Sequence, residues 1–364
     1  MVRHALTLDP SLAEAYCDLG WICHCTGRYV DAELAFRKAL QLQPDHARTR
    51  CNLGFLQLLL GNYAEGWISH EARWLTESGR RRVDFNAPAW DGGDLAGRTL
   101  LILHEQGFGD TLQFVRYARL AAASAAKVIV VVPKPLRRLL EEIPEITVVC
   151  RMPMHYDLYC HMASLPYRFG TTPDNIPAEV PYLFVPVVAR KRWSALFVDP
   201  VDSERRPLRV GIVWAGQALH VNDSLRSISF ELLAPLFSVP GIQWVSLQKD
   251  GRPDEMDDLV AGRGWIDPMG DVDDFEDTAA IIDQLDLVIT VCTSVTHLAG
   301  GLGKKVWTLV SAYPDWRWLI TRAEDSPWYP TMRLFRQSVL GDWEPVIAAV
   351  RQALFEAAHA AGAC

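Results

Sequence analysis

Identical residues recur at a fixed distance of 34 positions near the start of the chain. Leu19-Gly20 is followed by Leu53-Gly54, and Tyr29 is followed by Tyr63. A repeat of this length is one supersecondary unit, which buries its apolar face only against neighbouring units. The period therefore predicts paired helices that stack side by side, and it constrains the fold of this part more than composition does.

The repeated unit resembles the tetratricopeptide repeat. The runs Gly27-Arg28-Tyr29-x-x-Ala32 and Lys38-Ala39-Leu40-x-Leu42-x-Pro44 carry the resemblance, and we assign residues 1–75 to such repeats. Ala5-Leu6-x-Leu8-x-Pro10 matches the second run, so we expect the chain to begin inside a helix of an earlier repeat. On that view Met1 is a truncation point, or the natural protein extends further.

The rest of the chain reads as an α/β protein. Residues 76–97 are polar and turn-rich, which is typical of a connector, and residues 342–364 are predicted to contain a C-terminal helix. Residues 98–198 and 208–341 each alternate apolar runs with helix-like runs, as parallel βαβ units do. We expect two Rossmann-like domains that face a cleft, with a charged linker at 199–207.

Strands and helices are predicted from the same alternation. The predicted strands are 98–104, 127–133, 146–150, 157–161, 208–214, 242–247, 287–291, 306–310 and 332–335. The predicted helices are 110–125, 135–142, 230–237, 275–285, 294–302 and 345–359. Open sheets of this kind bind ligands at the carboxyl ends of their strands, so the loops that follow strands are the candidate sites.

Charge and cysteine usage exclude several classes of protein. The net charge is −8 with no basic run, which argues against nucleic-acid binding. No apolar run reaches membrane-spanning length and no signal peptide is evident. The eight cysteines form no CxxC pair, so we expect reduced thiols and a cytoplasmic protein. No GxGxxG turn with a following acid is present, which disfavours an oxidoreductase.

The first candidate site is the turn after the strand at 98–104. Gly107, Gly109 and Asp110 stand there at the start of a predicted helix. Glycines allow a ligand to approach closely, and the first N–H groups of a helix bind anions. Asp110 would present a carboxylate at the sheet edge. The alternative is a structural turn in which Asp110 caps the helix.

Two further loops suit phosphate. Gly216 ends the strand at 208–214 and leads into a loop that holds Arg226, whose guanidinium can bind two oxygens at once. Thr293, Ser294 and His297 begin the helix after the strand at 287–291. The alternatives are a surface loop with a salt bridge for the first and a structural histidine for the second.

An aromatic loop at 315–318 follows the next strand. Its tryptophan faces suit sugars and nucleobases, and Arg317 could pair with phosphate. The alternative is a packed loop that stabilises the hinge between the domains.

Together the motifs resemble bacterial glycosyltransferases fused to tetratricopeptide repeats, whose catalytic part is similar to glycosyltransferase family 9, the ADP-heptosyltransferases. The motifs that carry the resemblance are Glu105-Gln106-Gly107-Phe108-Gly109-Asp110-Thr111-x-Gln113-Phe114-x-Arg116-Tyr117, Val213-Trp214-Ala215-Gly216, Asn222-Asp223, Arg226-Ser227, Ser246-Leu247-Gln248-Lys249, Thr293 with His297-Leu298-Ala299-Gly300, Asp315-Trp316-Arg317-Trp318 and Leu334-Phe335-Arg336-Gln337. They are spread over nearly the whole chain.

The resemblance implies a GT-B fold and inverting transfer from a nucleotide sugar, with the acceptor on the side of the first domain. It makes Asp110 the general base and Arg226 the group that holds the donor diphosphate, with Thr293 and His297 beside it. Gln248 and Lys249 fall where the family contacts the nucleoside. The repeats indicate a protein acceptor, flagellin being one example among similar fusions, although a glycan acceptor stays possible.

One position departs from the family pattern. The family usually has aspartate before the threonine, where this chain has Cys292, and a thiol is a weak hydrogen-bond acceptor. Asp315 is a candidate substitute. No carboxylate pair suggests a metal site, so we expect a metal-independent enzyme without a cofactor. The alternative is a non-catalytic interaction protein whose nucleotide-sugar domain is degenerate. The sugar, base, acceptor and oligomeric state are left open.

Overall fold

The structure is a computed structural model that describes residues 2–76, 85–197, 206–219, 222–250, 260 and 264–362. The predicted linker at 199–207 and the predicted connector at 76–97 therefore lie partly outside the described residues. The chain forms two compact units. The first comprises Met1–Gly92, Ser164–Ile176 and Tyr313–Arg322, and the second comprises Gly93–Ala163, Pro177–Ala312 and Ala323–Cys364.

The first unit begins with five helices that pair as the repeat period predicts. They are α1 (Val2–Leu8), α2 (Ala13–Cys25), α3 (Tyr29–Leu42), α4 (Ala47–Leu59) and α5 (Tyr63–His70), followed by a 3₁₀ turn at Glu71–Leu75. Gly20 of α2 explains part of the repeated pattern, because a Cβ there would lie 2.6 Å from Cε1 of Phe36 on α3. The glycine lets the two helices approach each other closely.

Two segments from later in the chain pack on these helices. The indole Nε1 of Trp67 donates to the carbonyl of Thr171 at 2.9 Å, and its ring meets Trp316 edge to face, with centroids 5.3 Å apart. Ile320 N donates to the carbonyl of Leu59 at 3.2 Å. Segments 164–176 and 313–322 thus form part of the repeat unit.

The second unit contains two sheets, the first of which has four parallel strands. Its elements are β1 (Thr99–Leu103), α6 (Phe108–Phe114), α7 (Arg116–Ala122), β2 (Lys127–Val131), α8 (Lys134–Glu141), β3 (Thr147–Val149) and β4 (Leu158–His161), and the strand order is β3-β2-β1-β4. The next two helices are α9 (Leu165–Arg168), which belongs to the first unit, and α10 (Val187–Ser194).

The predicted single helix at 110–125 is wrong, because α6 ends at Phe114 and α7 begins at Arg116. The Nε of Arg116 donates at 2.8 Å to the carbonyl of Gln113, an oxygen that a continuous helix would offer to a backbone N–H. At the break between α6 and α7, a hydrogen bond from the Arg116 side chain therefore replaces one of the backbone hydrogen bonds of a continuous helix.

The second sheet has six strands in the order β6-β5-β7-β8-β10-β9, and all its pairings are parallel except that of β9 with β10. Its elements are β5 (Leu208–Val213), α11 (Asp223–Arg226), α12 (Ala234–Phe237), β6 (Ile242–Ser246), α13 (Phe275–Ile282), β7 (Leu287–Val291), α14 (Ser294–Gly301), β8 (Val306–Val310), β9 (Asp325–Ser326), β10 (Tyr329–Arg336) and α15 (Glu344–Ala360).

The predicted helix at 230–237 is in fact a 3₁₀ turn at Phe230–Leu233 followed by α12. Pro235 lies in the first turn of α12 and has no backbone N–H to continue a longer helix. Phe230 and Phe237 still face inward, where they pack on Trp244 and Trp265. Phe230 and Phe237 therefore still contribute to the apolar core on this side of the sheet, although the helix is interrupted.

The predicted α/β class with an N-terminal helical segment is confirmed. The division of 98–198 and 208–341 into two separate domains stays a prediction, since both sheets lie in one compact unit. Within the described ranges, no helix is both long and apolar enough to cross a membrane.

Candidate functional site

Strand order marks two places where a ligand is expected. In the first sheet β1 has β2 on one side and β4 on the other, and in the second sheet β5 lies between β6 and β7. Successive strands are added on one side of β1 or β5 and then on its other side, so each of these strands marks a topological switch point. Such a switch point forms a crevice at the carboxyl ends of the strands. Most of the predicted site residues lie in the loops that follow β1, β5 and β7 or in the helices that begin after them, α6, α11 and α14.

The turn after β1 holds Asp110 in one orientation. Gln106 adopts a left-handed backbone with φ of +62°, which is uncommon for a residue other than glycine. Gly107 precedes α6, and its N–H donates to Oδ2 of Asp110 at 2.8 Å. The alternative in which Asp110 is itself the N-cap is wrong, because Gly107 stands at that position and Asp110 lies in the first turn of α6, where its carboxylate accepts from the Gly107 N–H. The bond also fixes the direction of the side chain, which a general base requires.

Helix α6 lies directly against the start of α14. A Cβ at Gly109 would be 2.9 Å from Cδ2 of His297 and 3.4 Å from Cα of Ser294. The glycine is needed for this helix contact, because any side chain would push the two helices apart. The contact brings the predicted residues of the first sheet beside those of the second.

Hydroxyl groups shape the turn between β7 and α14. Thr293 precedes α14 and its N–H donates to Oγ1 of Thr296 at 3.3 Å, while Oγ1 of Thr290 lies 3.3 Å from Oγ1 of Thr293. Thr296 Oγ1 in turn donates to the carbonyl of Val291 at 2.9 Å. The first N–H groups of α14 begin at Ser294, and their dipole favours an anion.

Arg226 joins the loops after β5 and β7. It lies on the single turn α11, and its Nη1 donates to the backbone carbonyl of Cys292 at 2.9 Å. Its Nε is 3.3 Å from Oδ1 of Asp223, so the salt bridge of the structural alternative is present. A Cβ at Gly216 would be 2.7 Å from the same Nε, so the glycine makes room for the guanidinium.

The side chains of Gln248 and Lys249 form hydrogen bonds with the backbone of neighbouring loops. The Oε1 of Gln248 accepts from the backbone N–H groups of Trp214 and Ala215 at 3.2 and 3.0 Å. Nζ of Lys249 donates to the carbonyls of Met269 and Val272 at 3.0 and 2.6 Å. Gln248 thus stabilises the backbone directly after β5, and Lys249 stabilises the segment at 269–272. The contact of both side chains with a nucleoside stays a prediction.

Asp315 belongs to the first compact unit, whereas the other predicted site residues belong to the second. It precedes a 3₁₀ turn at Trp316–Trp318, and its Oδ1 accepts from the backbone N–H and from Nη1 of Arg317, both at 3.0 Å. This is the packed loop of the structural alternative. The substitution of Asp315 for the missing aspartate at Cys292 therefore stays a prediction.

Three residues that are not among the predicted site residues lie at the site, namely His104, Arg116 and Tyr329. Nδ1 of His104 is 2.5 Å from Oγ1 of Thr111, and burial lowers the pKa of His104, with the Asp110 carboxylate acting in the opposite direction. Its place directly after β1 was a usable signal. Arg116 stands in the first motif of the resemblance, but its contact with Tyr329, and that of Tyr329 with His297, depend on tertiary packing that the sequence does not indicate.

The structure also bears on metal binding. In the part of the chain that it describes, no three His, Cys, Asp or Glu side chains converge as metal ligands. Metal independence and the lack of a cofactor stay predictions.

Comparisons with known proteins agree with the motifs. A model described as tetratricopeptide repeat matches residues 13–46. Protein FlbA of Caulobacter vibrioides is 28% identical over 319 residues, which cover 80% of this chain and 52% of that protein. The chain thus spans about half the length of this curated relative.

Two solved structures share the fold. The glycosyltransferase of family 9 from Veillonella parvula has a TM-score of 0.52 at 12% identity, over 75% of this chain and 99% of that one. The ADP-heptose lipopolysaccharide heptosyltransferase II of E. coli has a TM-score of 0.50 at 14% identity, over 72% and 99%. The chain therefore combines a tetratricopeptide repeat with a fold similar to that of the family 9 glycosyltransferases, as its motifs predict.

Proposed function

We propose that this chain is an inverting, metal-independent glycosyltransferase that moves a sugar from a nucleotide sugar to a protein or glycan acceptor. The single observation that carries the proposal is the contact of Gly109 with Ser294 and His297. The contact joins the helix that carries Asp110 to the first turns of α14, and this supports a general base close to a helix start that suits a diphosphate.

The proposed reaction has one displacement step. The Asp110 carboxylate takes the proton of an acceptor hydroxyl, whose oxygen attacks C1 of the sugar. The bond from C1 to the diphosphate oxygen breaks, and the nucleoside diphosphate leaves with both electrons from the opposite face. Attack from that face inverts the configuration at C1.

The leaving diphosphate gains negative charge in this step. Arg226 and the N–H groups of the first turn of α14 supply positive charge and donors beside the β5 and β7 switch point. The Arg226 guanidinium is held by the Cys292 carbonyl and the Asp223 carboxylate. It therefore needs little reorganisation to meet a phosphate.

We place the acceptor with the repeats, because tetratricopeptide repeats commonly bind protein segments. A flagellin-like protein is one example of such an acceptor. This part of the proposal rests on the repeat match at residues 13–46. A cytoplasmic location is proposed with it.

A panel of nucleotide sugars tests the proposal directly. UDP, GDP, ADP, CMP and dTDP sugars are added to the wild-type chain, and thermal stabilisation, calorimetric affinity and release of nucleoside diphosphate are measured. We expect one nucleotide class to bind and to be slowly hydrolysed. Absence of binding across the panel would refute the proposal.

A non-catalytic sensor is the second candidate, and Cys292 is the observation that favours it. The family carboxylate is missing at the end of β7, where it would accept hydrogen bonds from a donor sugar. A sensor would bind a nucleotide sugar without any release of nucleoside diphosphate, with or without acceptor. The same panel therefore separates the two candidates.

A further inference from the structure

His297 is held from two sides. It lies in the first turns of α14 and is 5% exposed. Its Nδ1 is 2.8 Å from the hydroxyl oxygen of Tyr329 on β10. The opposite edge faces α6, since a Cβ on Gly109 would lie 2.9 Å from Cδ2 and 3.7 Å from Nε2. One nitrogen thus meets the tyrosine and the other faces the turn that carries Asp110.

Tyr329 fits closely beneath α14. A Cβ at Gly300 would lie 2.8 Å from Cγ of the Tyr329 ring, so only glycine leaves room for the ring at this point of the helix. Tyr329 is completely buried. Its hydroxyl therefore has a fixed position relative to His297.

A buried cation lies behind the tyrosine. The guanidinium carbon of Arg116 is 4.7 Å from the centroid of the Tyr329 ring, and its Nη1 donates to the carbonyl of Trp328 at 2.8 Å. Arg116 is 3% exposed. A positive charge at this distance strengthens a phenol as a hydrogen-bond donor.

We propose that Tyr329 is a positioning residue, whose hydroxyl donates to Nδ1 of His297 and fixes the imidazole as the neutral Nε2–H tautomer. A neutral imidazole carries one proton, so the nitrogen that accepts from Tyr329 leaves the proton on the other. Nε2–H is then a single donor directed to the α6 side. This last step rests on the proposed function: we infer that the Nε2–H of His297 donates to an oxygen of the nucleotide sugar.

Nuclear magnetic resonance of histidine side chains tests the tautomer without any need for activity. The chain has 10 histidines, and the signal of His297 is assigned as the one absent from His297→Gln. In the wild type at pH 7.5 we expect His297 to be protonated at Nε2 only. Protonation at Nδ1 in the wild type would overturn the proposal, and this measurement requires no tyrosine variant to fold.

Two matched variants test whether the Tyr329 hydroxyl determines the tautomer of His297. Tyr329→Phe should give a mixture of tautomers at His297. Tyr182→Phe removes an equally buried hydroxyl that also meets Arg116, through its Nη2 at 2.9 Å, and should leave the tautomer unchanged. A pure Nε2–H signal in Tyr329→Phe would refute the role of Tyr329.

Turnover separates this inference from the proposed function. If the chain is a transferase, Tyr329→Phe should lower kcat/KM about tenfold, as expected for one lost hydrogen bond. A wild type that lacks turnover but shows the Nε2–H tautomer would contradict the proposed function and still support the role of Tyr329. Unchanged kcat/KM in a Tyr329→Phe variant of an active enzyme would contradict the proposed donation to the nucleotide sugar.

Discussion

Arg226 donates to the backbone carbonyl of Cys292, at 2.9 Å, so the position of the guanidinium does not depend on the side chain at residue 292. The loops after β5 and β7 are held together by a contact that any residue at this position could make. A substitution of Cys292 should therefore leave the Arg226 guanidinium in place.

Replacement of Arg226 by alanine should weaken binding of the nucleoside diphosphate by roughly 1.5–3 kcal/mol, the range for a hydrogen bond to a charged group. Calorimetry with the nucleotide found in the panel measures the loss. Arg137→Ala is the control, since Arg137 pairs with Glu141 on the surface of α8. Equal affinities of Arg226→Ala and wild type would remove Arg226 from the phosphate site.

Replacement of Cys292 by aspartate restores the family residue and adds a carboxylate that can accept sugar hydroxyls. For a transferase with a conventional donor, the rate should rise or stay the same. The comparison is made by nucleoside diphosphate release from both proteins. An active wild type that loses activity in Cys292→Asp would refute both the sensor candidate and the view of Cys292 as a defect. It would indicate a donor that needs a small, uncharged side chain.

Replacement of Asp110 by asparagine should abolish transfer and preserve donor affinity, because a general base acts on the acceptor. The amide keeps an oxygen that can accept from the Gly107 N–H, so α6 should stay capped. Transfer rates and calorimetric affinity are measured on the same preparation. Wild-type turnover in Asp110→Asn would show that the carboxylate is structural.

Replacement of Gly109 by alanine has two opposing effects on the free energy of unfolding, one from helix propensity and one from packing. Alanine favours a helix by about 1 kcal/mol relative to glycine, whereas overpacking costs about 1–3 kcal/mol. With a Cβ only 2.9 Å from His297 we expect net destabilisation, measured by urea unfolding, together with loss of donor binding. Gly270→Ala is the control, because nothing lies within 4 Å of a Cβ there. Equal stability of the two variants would refute the close helix contact.

The pH dependence of stability should contain a contribution from His24 of α2, since burial lowers the pKa of His24 to about 4. Between pH 6.5 and 4 the unfolded chain binds a proton that the folded chain does not, so stability falls as the pH falls. The full loss is about 3 kcal/mol. In His24→Phe the free energy of unfolding should depend less steeply on pH in this window. Identical slopes would contradict the assignment.

The strands were largely predictable because their signals are local. Leu287–Val291 and Val306–Val310 are strands with the predicted bounds, since continuous apolar runs end there at turn-forming residues. The break between α6 and α7 was not predictable. It depends on the Arg116 side chain, which contacts residues far along the chain such as Tyr182.

The candidate site was predictable residue by residue but not in its assembly. Asp110, Arg226 and His297 each lie in the first helix that follows a strand, near the sheet edge where ligands of parallel sheets bind. The sequence offers no signal for the contact between Gly109 and His297, since it depends on the packing of two distant helices. The role of Tyr329 depends on the same packing.

The two contacts of the Trp67 indole show that the repeats are not a module that can be separated from the later segments of the chain. A cut after residue 75 would remove the indole that meets both the Thr171 carbonyl and the Trp316 ring. It would also remove the Leu59 carbonyl that accepts from Ile320. Three separate stretches of chain therefore complete this unit, and the repeats cannot be transplanted to another protein as the single continuous piece that their 34-residue period suggests.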